Sequence, residues 1–277
     1  MPEGPETRRM ADSISKALVG KKIESYQFHH DNLNKSTIGS FSHLDKVFSL
    51  GKALICRLNN GKSIISHNQL YGKWTVNLRK TVPNTGRALR IEFNTKSRSV
   101  RLWSATDIKV FDSEDENDHP YLKKLGPDIL MENTDYENIL VRLKSKRFRN
   151  RALAGLLLDQ SFIAGLGNYL RSEILFFSKL MYFVKPINLS EKQLIEISKN
   201  IKDVSMRAYF QKGKTLNLNQ LRADFGNVKN FKRIRHMVFA RIGEPCLVCG
   251  NFIKRERVAN RRIDFCDQCQ NNSSSDK

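Results

Sequence analysis

The chain has 277 residues, of which 40% are hydrophobic, and a mean hydropathy of -0.48, values typical of a soluble globular protein with room for two domains. Its 48 lysines and arginines outweigh 28 aspartates and glutamates, which gives a net charge of +20. Such an excess favours a polyanionic partner, because each basic side chain that neutralises a phosphate releases a counterion. A generically basic, solvated surface is the alternative explanation.

The amino terminus has no apolar core of a secretory signal, and no apolar run is long enough to span a bilayer. An anionic membrane surface would call for a basic amphipathic helix with an aromatic face, and the sequence offers none. We therefore expect a cytoplasmic protein with no membrane partner, associated with the nucleoid through nucleic acid. No oligomerisation surface is evident, so a monomer is expected.

Hydrophobic periodicity predicts one leading helix and then a mostly antiparallel β domain. Met10, Ile14 and Leu18 have helical spacing, which predicts a helix over residues 5–18. Short β-like runs fill residues 23–111, and a turn at 59–62 predicts a hairpin between runs 54–58 and 63–66. The run 89–93 alternates like a half-buried strand, with 100–103 as its predicted partner.

The second half of the chain is predicted to be helical. The acidic stretch 112–118 predicts a loop that leads into a linker. Helices are predicted over 136–144, 152–158 and 169–180, and a capping box at Ser190 and Gln193 predicts another through Ile201. The polar segment 207–232 predicts a mobile loop, and 271–277 a disordered tail.

Four of the five cysteines form two CxxC pairs separated by 16 residues: Cys246, Cys249, Cys266 and Cys269. This is the sequence form of a tetrahedral zinc site, and two disulfides are the weaker alternative in a chain without a secretory signal. Four thiolates leave no open position for a catalytic water, so we predict one structural Zn²⁺. The fifth, Cys56, is predicted to be a small buried hydrophobe.

The segment between the two pairs predicts a basic hairpin. It carries Lys254, Arg255, Arg257, Arg261 and Arg262. A metal-pinned hairpin of this kind can present guanidinium groups to phosphate or to a groove. The alternative is a hairpin whose charges only solubilise it, and the overall charge favours the first interpretation.

A glycine-rich turn precedes the helix predicted at Tyr169. Gly165 and Gly167 allow close approach of a partner where a helix offers free N–H groups, and Asn168 is the natural capping residue. From the spacing alone, a capped helical hairpin with no ligand is an equally good interpretation.

The amino terminus could carry a nucleophile. Removal of Met1 would leave Pro2 with a secondary amine, and attack on a sugar C1′ would give a permanently cationic iminium. Glu3 could supply protons, and Glu6 could orient or relay. Proline and acidic residues are also favoured at the start of a helix for local reasons. From these residues alone, a purely structural role at the helix start is the preferred interpretation.

Several motifs occur together in one order: residues 2–6, 51–54, 66–72, 147–173, 243–246 and the closing cysteines. On these motifs the chain resembles the formamidopyrimidine-glycosylase/endonuclease VIII superfamily, in its endonuclease VIII branch, from residue 1 to about residue 270. The resemblance implies an α+β protein. Its N-terminal antiparallel β-sandwich has a leading helix, and its C-terminal helix–two-turn–helix domain has a β-hairpin zinc finger.

With this resemblance, we expect five segments. They are a catalytic sandwich domain at 1–120, a linker at 121–132, a helix–two-turn–helix domain at 133–235, a zinc finger at 236–270 and a tail at 271–277. The expected partner is double-stranded DNA that contains oxidised bases or abasic sites, held in a cleft between the domains.

The resemblance implies a bifunctional DNA glycosylase and abasic-site lyase of base-excision repair. Pro2 would be the Schiff-base nucleophile and Glu3 the acid that assists base loss. Lys52 would contact phosphate and donate a proton in β-elimination. Arg261 would grip phosphate and serve δ-elimination, although the neighbouring Arg262 could take that place.

The implied DNA contacts are Gln69, Leu70, Tyr71, Lys124 and Asn168. The first three match a wedge that fills the space left by an extruded nucleotide. Lys124 stands where the family usually has arginine, so it keeps the charge but loses the bidentate fork.

Gln69, Leu70 and Tyr71 favour the oxidised-pyrimidine branch, because the formamidopyrimidine branch builds its wedge from Met, Arg and Phe. Residues 238–241 also depart from the purine branch. A formamidopyrimidine/8-oxoguanine glycosylase is the first alternative. A non-catalytic zinc-ribbon regulator that binds DNA is the second, and its DNA binding would survive Pro2→Gly.

Overall fold

The computed structural model describes residues 2–216, 234–258 and 260–271. The chain divides into two compact units, residues 1–124 and 125–277, which we call the sandwich unit and the helical unit. No helix among the described residues is long and apolar enough to cross a membrane.

The sandwich unit consists of two antiparallel four-stranded sheets and a leading helix. Its elements are α1 (Gly4–Leu18), β1 (Ser25–Phe28), α2 (Lys35–Ile38), β2 (Leu44–Leu50), β3 (Ala53–Leu58), β4 (Lys62–His67), β5 (Lys73–Leu78), β6 (Leu89–Asn94), β7 (Arg98–Trp103) and β8 (Asp107–Asp112). The sheet orders are β2-β3-β4-β8 and β1-β6-β7-β5. The predicted hairpin at 59–62 and the predicted pairing of 89–93 with 100–103 are both confirmed.

One hydrophobic core joins both sheets and α1. Ile14 of α1 and Cys56 of β3 meet Phe93 and Val100 of the other sheet, and all four are fully buried. Burial raises the pKa of the Cys56 thiol to about 12, so it stays neutral as the predicted small hydrophobe.

Strand β2 returns along α1 towards the amino terminus. It starts beside the end of the helix, where Val19 bridges Leu44, and its residues 46–48 line a pocket together with Arg8 and Lys16 of the helix. The 15 residues of α1 span about 22 Å and the seven of β2 about 23 Å. The turn at Gly51 and Lys52, where Gly51 has φ +57, therefore lies at the end of α1 that carries Pro2.

The acidic segment after β8 is a loop with a buried anchor, which its polar composition did not indicate. Glu116 is only 4% exposed and accepts two hydrogen bonds from the Arg57 guanidinium, at 2.8 and 2.7 Å. The Ser63 hydroxyl donates to the same carboxylate. The Glu116 carboxylate can be buried because Arg57, a residue of the neighbouring sheet, supplies a matching positive charge.

The helical unit contains α3 (Tyr136–Lys144), α4 (Leu153–Leu156), α5 (Asn168–Phe177), α6 (Glu191–Phe210), β9 (Lys254–Val258), β10 (Arg261–Phe265) and α7 (Asp267–Gln270). The helix predicted at 136–144 and the Ser190 capping box are confirmed. The α+β fold class, with sandwich, helices and zinc hairpin, is confirmed as well.

Two helix predictions were wrong in extent, and one loop prediction was wrong at its start. Helix α4 is a single turn, and α5 ends at Phe177 instead of residue 180. Helix α6 continues to Phe210, so the first residues of the predicted mobile loop are helical, because Val204 and Ala208 pack into the core. Residues 217–233 and 272–277 lie outside the described residues, and with them most of the predicted loop and tail.

A buried carboxylate ties α5 to the segment that leads into the zinc hairpin. Glu173 is fully buried and accepts backbone N–H groups from Met237, Val238 and Phe239 at 2.7, 2.9 and 2.9 Å. The Thr215 hydroxyl donates a fourth hydrogen bond at 2.5 Å. Four donors from two further segments thus replace the water that this carboxylate loses on burial.

We predict that Glu173→Gln lowers the free energy of unfolding by about 2–4 kcal/mol, because an amide NH₂ would then face backbone donors inside the core. Urea unfolding measures the change. The matched control is Glu191→Gln at the exposed start of α6, where the ion pair of Glu191 with Lys144 contributes less than about 0.5 kcal/mol. Equal midpoints for both variants would contradict the prediction.

Candidate active site and nucleic-acid interface

The start of α1 separates Pro2 from the residues that build the helix. Glu3 is the N-cap, with extended backbone, and the Glu6 carboxylate accepts its N–H at 3.1 Å. Pro5 occupies the first helical turn, where a proline is favoured. The favourable effect of proline and acidic residues at a helix start therefore accounts for Pro5 and Glu6. It does not account for Pro2, which lies before the N-cap and outside the helix.

Glu3 and Glu6 have different surroundings. Glu3 is only 3% exposed, whereas Glu6 is half-buried and also pairs with Arg9 at 3.1 Å. Glu6 thus orients the backbone of Glu3 through the capping box. Its predicted part in catalysis stays a prediction.

Lys52 is half-buried in the turn between β2 and β3. Its backbone N–H donates to the Tyr121 hydroxyl oxygen at 3.0 Å. Burial lowers the pKa of nearby His67; the carboxylate of Asp107 opposes that shift and the ammonium of Lys52 adds to it. Lys52 is therefore close enough to His67 for their charges to interact.

Gln69, Leu70 and Tyr71 form an exposed loop after β4. Leu70 is 65% and Tyr71 67% exposed, which is unusual for large apolar side chains placed side by side unless they meet a partner. The loop closes through a 2.7 Å hydrogen bond from Gly72 N–H to the Asn68 carbonyl. A Cβ at Gly72 would lie 2.7 Å from Asn68 backbone atoms, so only glycine permits this turn.

Two polar residues that the sequence did not indicate hold this loop. The Thr106 hydroxyl donates to Gln69 Oε1 at 3.3 Å, and Arg87 donates to the Tyr71 carbonyl. Gln69 itself has a φ of +45, a conformation that a non-glycine residue adopts only when its surroundings hold it.

The four clustered cysteines converge. Their Sγ atoms all lie within 4.8 Å of one another, with 3.8 Å from Cys246 to Cys269 and 3.4 Å from Cys249 to Cys266. A tetrahedron with Zn–S distances of about 2.3 Å has sulfur–sulfur edges of about 3.8 Å. The predicted hairpin between the pairs is confirmed as β9 and β10.

The chemistry of this cluster also fits a cation. Burial first, and then the neighbouring thiols, raises the pKa of Cys266 to about 11 and shifts that of Cys269 in the same direction. Four thiols this close cannot all ionise without a compensating positive charge. A Zn²⁺ ion supplies that charge, and four sulfur ligands complete its coordination.

The zinc hairpin shares a pocket of about 610 Å³ with the start of α5. Its lining includes Asn168, Arg257, Arg261 and Arg262. The structure thus brings together two residues predicted to bind DNA, Asn168 and Arg261, although they are far apart in the sequence.

The prediction that Asn168 caps α5 was wrong. Gly167 is the N-cap, and Asn168 is the first helical residue. Its side-chain oxygen accepts a hydrogen bond from Arg171 at 2.8 Å. Arg171 is fully buried and also donates to the carbonyls of Ala154 and Arg262, at 3.0 and 2.8 Å.

The surroundings of Arg261 and Arg262 differ. The Arg262 guanidinium lies 4.8 Å from the centroid of the Phe239 ring, a cation–π contact. Within the described ranges, the Arg261 side chain makes no hydrogen bond or ion pair, and it is exposed. Arg261 is therefore the arginine that can turn towards a phosphate without losing an existing contact.

The predicted site residues are divided between the two units. Pro2, Glu3, Lys52 and the loop 69–71 belong to the sandwich unit, as does exposed Lys124, which ends the 3₁₀ turn Leu122–Lys124. Asn168, Arg261 and the zinc cysteines belong to the helical unit.

The positioning residues Arg171 and Glu173 were missed by sequence reasoning. The sequence did contain an indication, because both are charged residues within the mostly apolar helix 168–177, and buried charges require specific partners. Thr106 and Tyr121 gave no such signal.

Comparison with known families agrees with this geometry. Residues 1–111 match the formamidopyrimidine-DNA glycosylase N-terminal domain, and 125–220 match its H2TH domain. Residues 243–272 match a zinc finger found in FPG and IleRS, in accord with one structural zinc at the four cysteines.

Individual proteins are similar over nearly the full chain. Proteins named endonuclease 8 from Salmonella arizonae and Escherichia coli are each 39% identical, over 98% of this chain and 100% of their own length. A solved structure of Lactococcus lactis formamidopyrimidine-DNA glycosylase bound to abasic-site DNA has a TM-score of 0.76 at 20% identity, over 97% of this chain and 99% of its own. A complex of the same enzyme with oxidised-pyrimidine DNA has a TM-score of 0.77 at 21% identity and the same coverage.

We predict one equivalent of zinc per chain and its loss in Cys249→Ser. Without the ion, the hairpin should no longer hold Arg261 beside Asn168, and affinity for DNA should fall while the sandwich unit stays folded. Metal analysis and DNA titration measure the two effects. Cys56→Ala is the control, since it removes a thiol outside the cluster, and equal zinc loss there would contradict the prediction.

Proposed function

The chain belongs to the formamidopyrimidine-DNA glycosylase/endonuclease VIII family, and from this premise we propose that it is a bifunctional DNA glycosylase and abasic-site lyase that removes oxidised pyrimidines. The observation that carries the proposal is the position of Pro2. It precedes the cap of α1, beside buried Glu3 and at the end of the helix to which β2 returns with Lys52.

Pro2 supplies the nucleophile after Met1 is removed. An α-amino group has a usual pKa of about 7.7–8.0, so a useful fraction is neutral at physiological pH. The nitrogen attacks C1′ of the sugar, the bond to the damaged base breaks, and the sugar ring opens. Because the amine is secondary, the product is an iminium that keeps its positive charge.

Glu3 and Lys52 serve the proton transfers. Glu3 protonates the departing base or the ring oxygen, which prevents either group from leaving as an unstable anion. The iminium acidifies the C2′ protons. Loss of one of them to a base expels the 3′-phosphate by β-elimination, and Lys52 donates a proton to the departing phosphate. A second elimination expels the 5′-phosphate, so the nick carries phosphate at both ends.

The loop 69–71 serves base extrusion. Removing a nucleotide from the duplex costs a few kcal/mol of stacking. The exposed Leu70 and Tyr71 side chains can offset part of that cost by filling the vacated space. This Gln-Leu-Tyr wedge supports the oxidised-pyrimidine substrate class.

The helical unit supplies the phosphate contacts. Asn168 and Arg261 line one pocket, and Arg171 fixes the side chain of Asn168 there. Lys124 adds a further cationic contact from the sandwich unit. The enzyme acts as a monomer on double-stranded DNA with oxidised or abasic sites, in the cytoplasm at the nucleoid.

A formamidopyrimidine/8-oxoguanine glycosylase is the second candidate. It would use the same imine chemistry, and solved structures of Lactococcus lactis formamidopyrimidine-DNA glycosylase are similar to this chain. That likeness, at 20–22% identity, carries the fold alone.

We predict that borohydride traps the untagged, Met-processed protein on duplexes containing dihydrouracil more strongly than on those containing 8-oxoguanine. Trapping reduces the iminium to a stable amine, so the covalent band reports the imine directly. Without borohydride the dihydrouracil strand should be nicked. Stronger trapping on 8-oxoguanine would keep the mechanism and select the second candidate.

Pro2→Gly and an N-terminally tagged chain are the controls for this experiment. Both variants should bind lesion DNA. In the tagged chain the amine of Pro2 is blocked, so trapping should be abolished there. Full nicking by the tagged chain would refute the role of Pro2. Tight binding without any adduct in the processed wild type would leave a non-catalytic DNA-binding protein.

We also predict that Arg261→Ala weakens DNA binding more than Arg262→Ala. Loss of one phosphate contact should reduce the slope of log K against log salt by about 0.9. DNA titrations at several salt concentrations measure both slopes. A larger change for Arg262→Ala would transfer the phosphate contact to that residue.

A further inference from the structure

We propose that Tyr121 is a positioning residue that holds Lys52 in place for the elimination step. The inference rests on the proposed function, because it requires Lys52 to act in that step. It is carried by a hydrogen bond between two half-buried residues that are 69 positions apart in the sequence.

The Tyr121 hydroxyl acts on the backbone of Lys52. Its oxygen accepts the Lys52 N–H at 3.0 Å, immediately after Gly51, which has a φ of +57. The glycine lets the chain turn sharply, and the hydroxyl then fixes the first peptide group beyond it. The Tyr121 ring packs edge-on against that of His67, with centroids 4.9 Å apart.

Tyr121 is itself held firmly. Its backbone N–H donates to His119 Nδ1 at 3.1 Å. His119 is 3% exposed, and its ring packs 5.4 Å from that of Phe111 in β8. The Lys124 N–H donates back to the Tyr121 carbonyl at 3.2 Å. The hydroxyl therefore extends from a fixed segment and can define where the lysine backbone lies.

Position matters more for Lys52 than for most surface lysines. Its ammonium ends a flexible four-carbon chain, so an error at the backbone adds to the freedom of the side chain. A displacement of about 1 Å at a reacting group can cost about 100-fold in rate. Imine formation at Pro2 does not use Lys52, so only the elimination should depend on Tyr121.

Tyr121→Phe tests the proposal on an abasic-site duplex under single-turnover conditions. The phenylalanine keeps the ring against His67 but removes the acceptor of the Lys52 N–H. We expect nicking to slow by about five- to tenfold, with an unchanged rate of borohydride trapping. Hydrogen exchange at the Lys52 amide should speed up as a local effect.

Tyr26→Phe is the matched control. It removes a hydroxyl from the same unit, where the ring stacks 4.5 Å from that of Phe41 against the core. This variant should nick and trap as the wild type does. Thermal unfolding of both variants is measured alongside.

Three outcomes would overturn the inference. Unchanged nicking or an unchanged Lys52 exchange rate in Tyr121→Phe would show that the hydroxyl does not position the lysine. An equal fall in trapping and nicking with a lower Tm would assign Tyr121 to general stability. A wild type that forms no adduct would remove the proposed function together with the inference, whereas the first two outcomes leave that function intact.

Discussion

The helical unit depends on two charges buried in α5. Arg171 and Glu173 are both fully buried, and a buried charge left without partners costs several kcal/mol. Each is therefore satisfied largely by groups from other elements. Arg171 donates to the carbonyls of Ala154 and Arg262, and Glu173 accepts from the backbone N–H groups of residues 237–239. These bonds determine where the zinc hairpin lies relative to the start of α5.

Hydrophobic burial and the zinc ligands together order the base of the hairpin. At its base, Ile263 and Phe265 join the core of the helical unit, so hydrophobic burial holds that end. The four sulfur ligands hold the same end, because Cys266 directly follows Phe265 and packs with Cys246 and Ile253 in a second small cluster. Exposed arginines can then be presented to phosphate from a short, strongly charged strand pair, without a large supporting domain.

In the sandwich unit the corresponding constraint is the return of β2 along α1. The helix and the strand have nearly equal lengths, so a residue just before the helix and a residue just after the strand come to the same end. The exposed loop 69–71 depends on a different constraint, the absence of a side chain at Gly72. Both are backbone features, and both place reactive or exposed side chains at positions where loose loops could not hold them.

The sequence by itself determined whatever depends on neighbours within a few residues. The CxxC pairs, the capping box at Ser190 and the helix at 136–144 are local patterns, and the structure confirms them. The alternation predicted for residues 89–93 is wrong, because Glu92 is buried along with Ile91 and Phe93. The family motifs also indicated which residues to examine for catalysis.

Only the tertiary structure decided features whose partners are distant in the chain. Asn168 has the residue type of a cap, yet its side chain binds Arg171, which the distant carbonyls of Ala154 and Arg262 hold in place, and the helix starts one residue early. Helix α6 extends past its polar residues because its buried face still meets the core. Tyr121 binds Lys52, which lies 69 positions away in the sequence. No hydrophobic periodicity of the sequence predicts such a contact, because its energy arises only when the chain has folded.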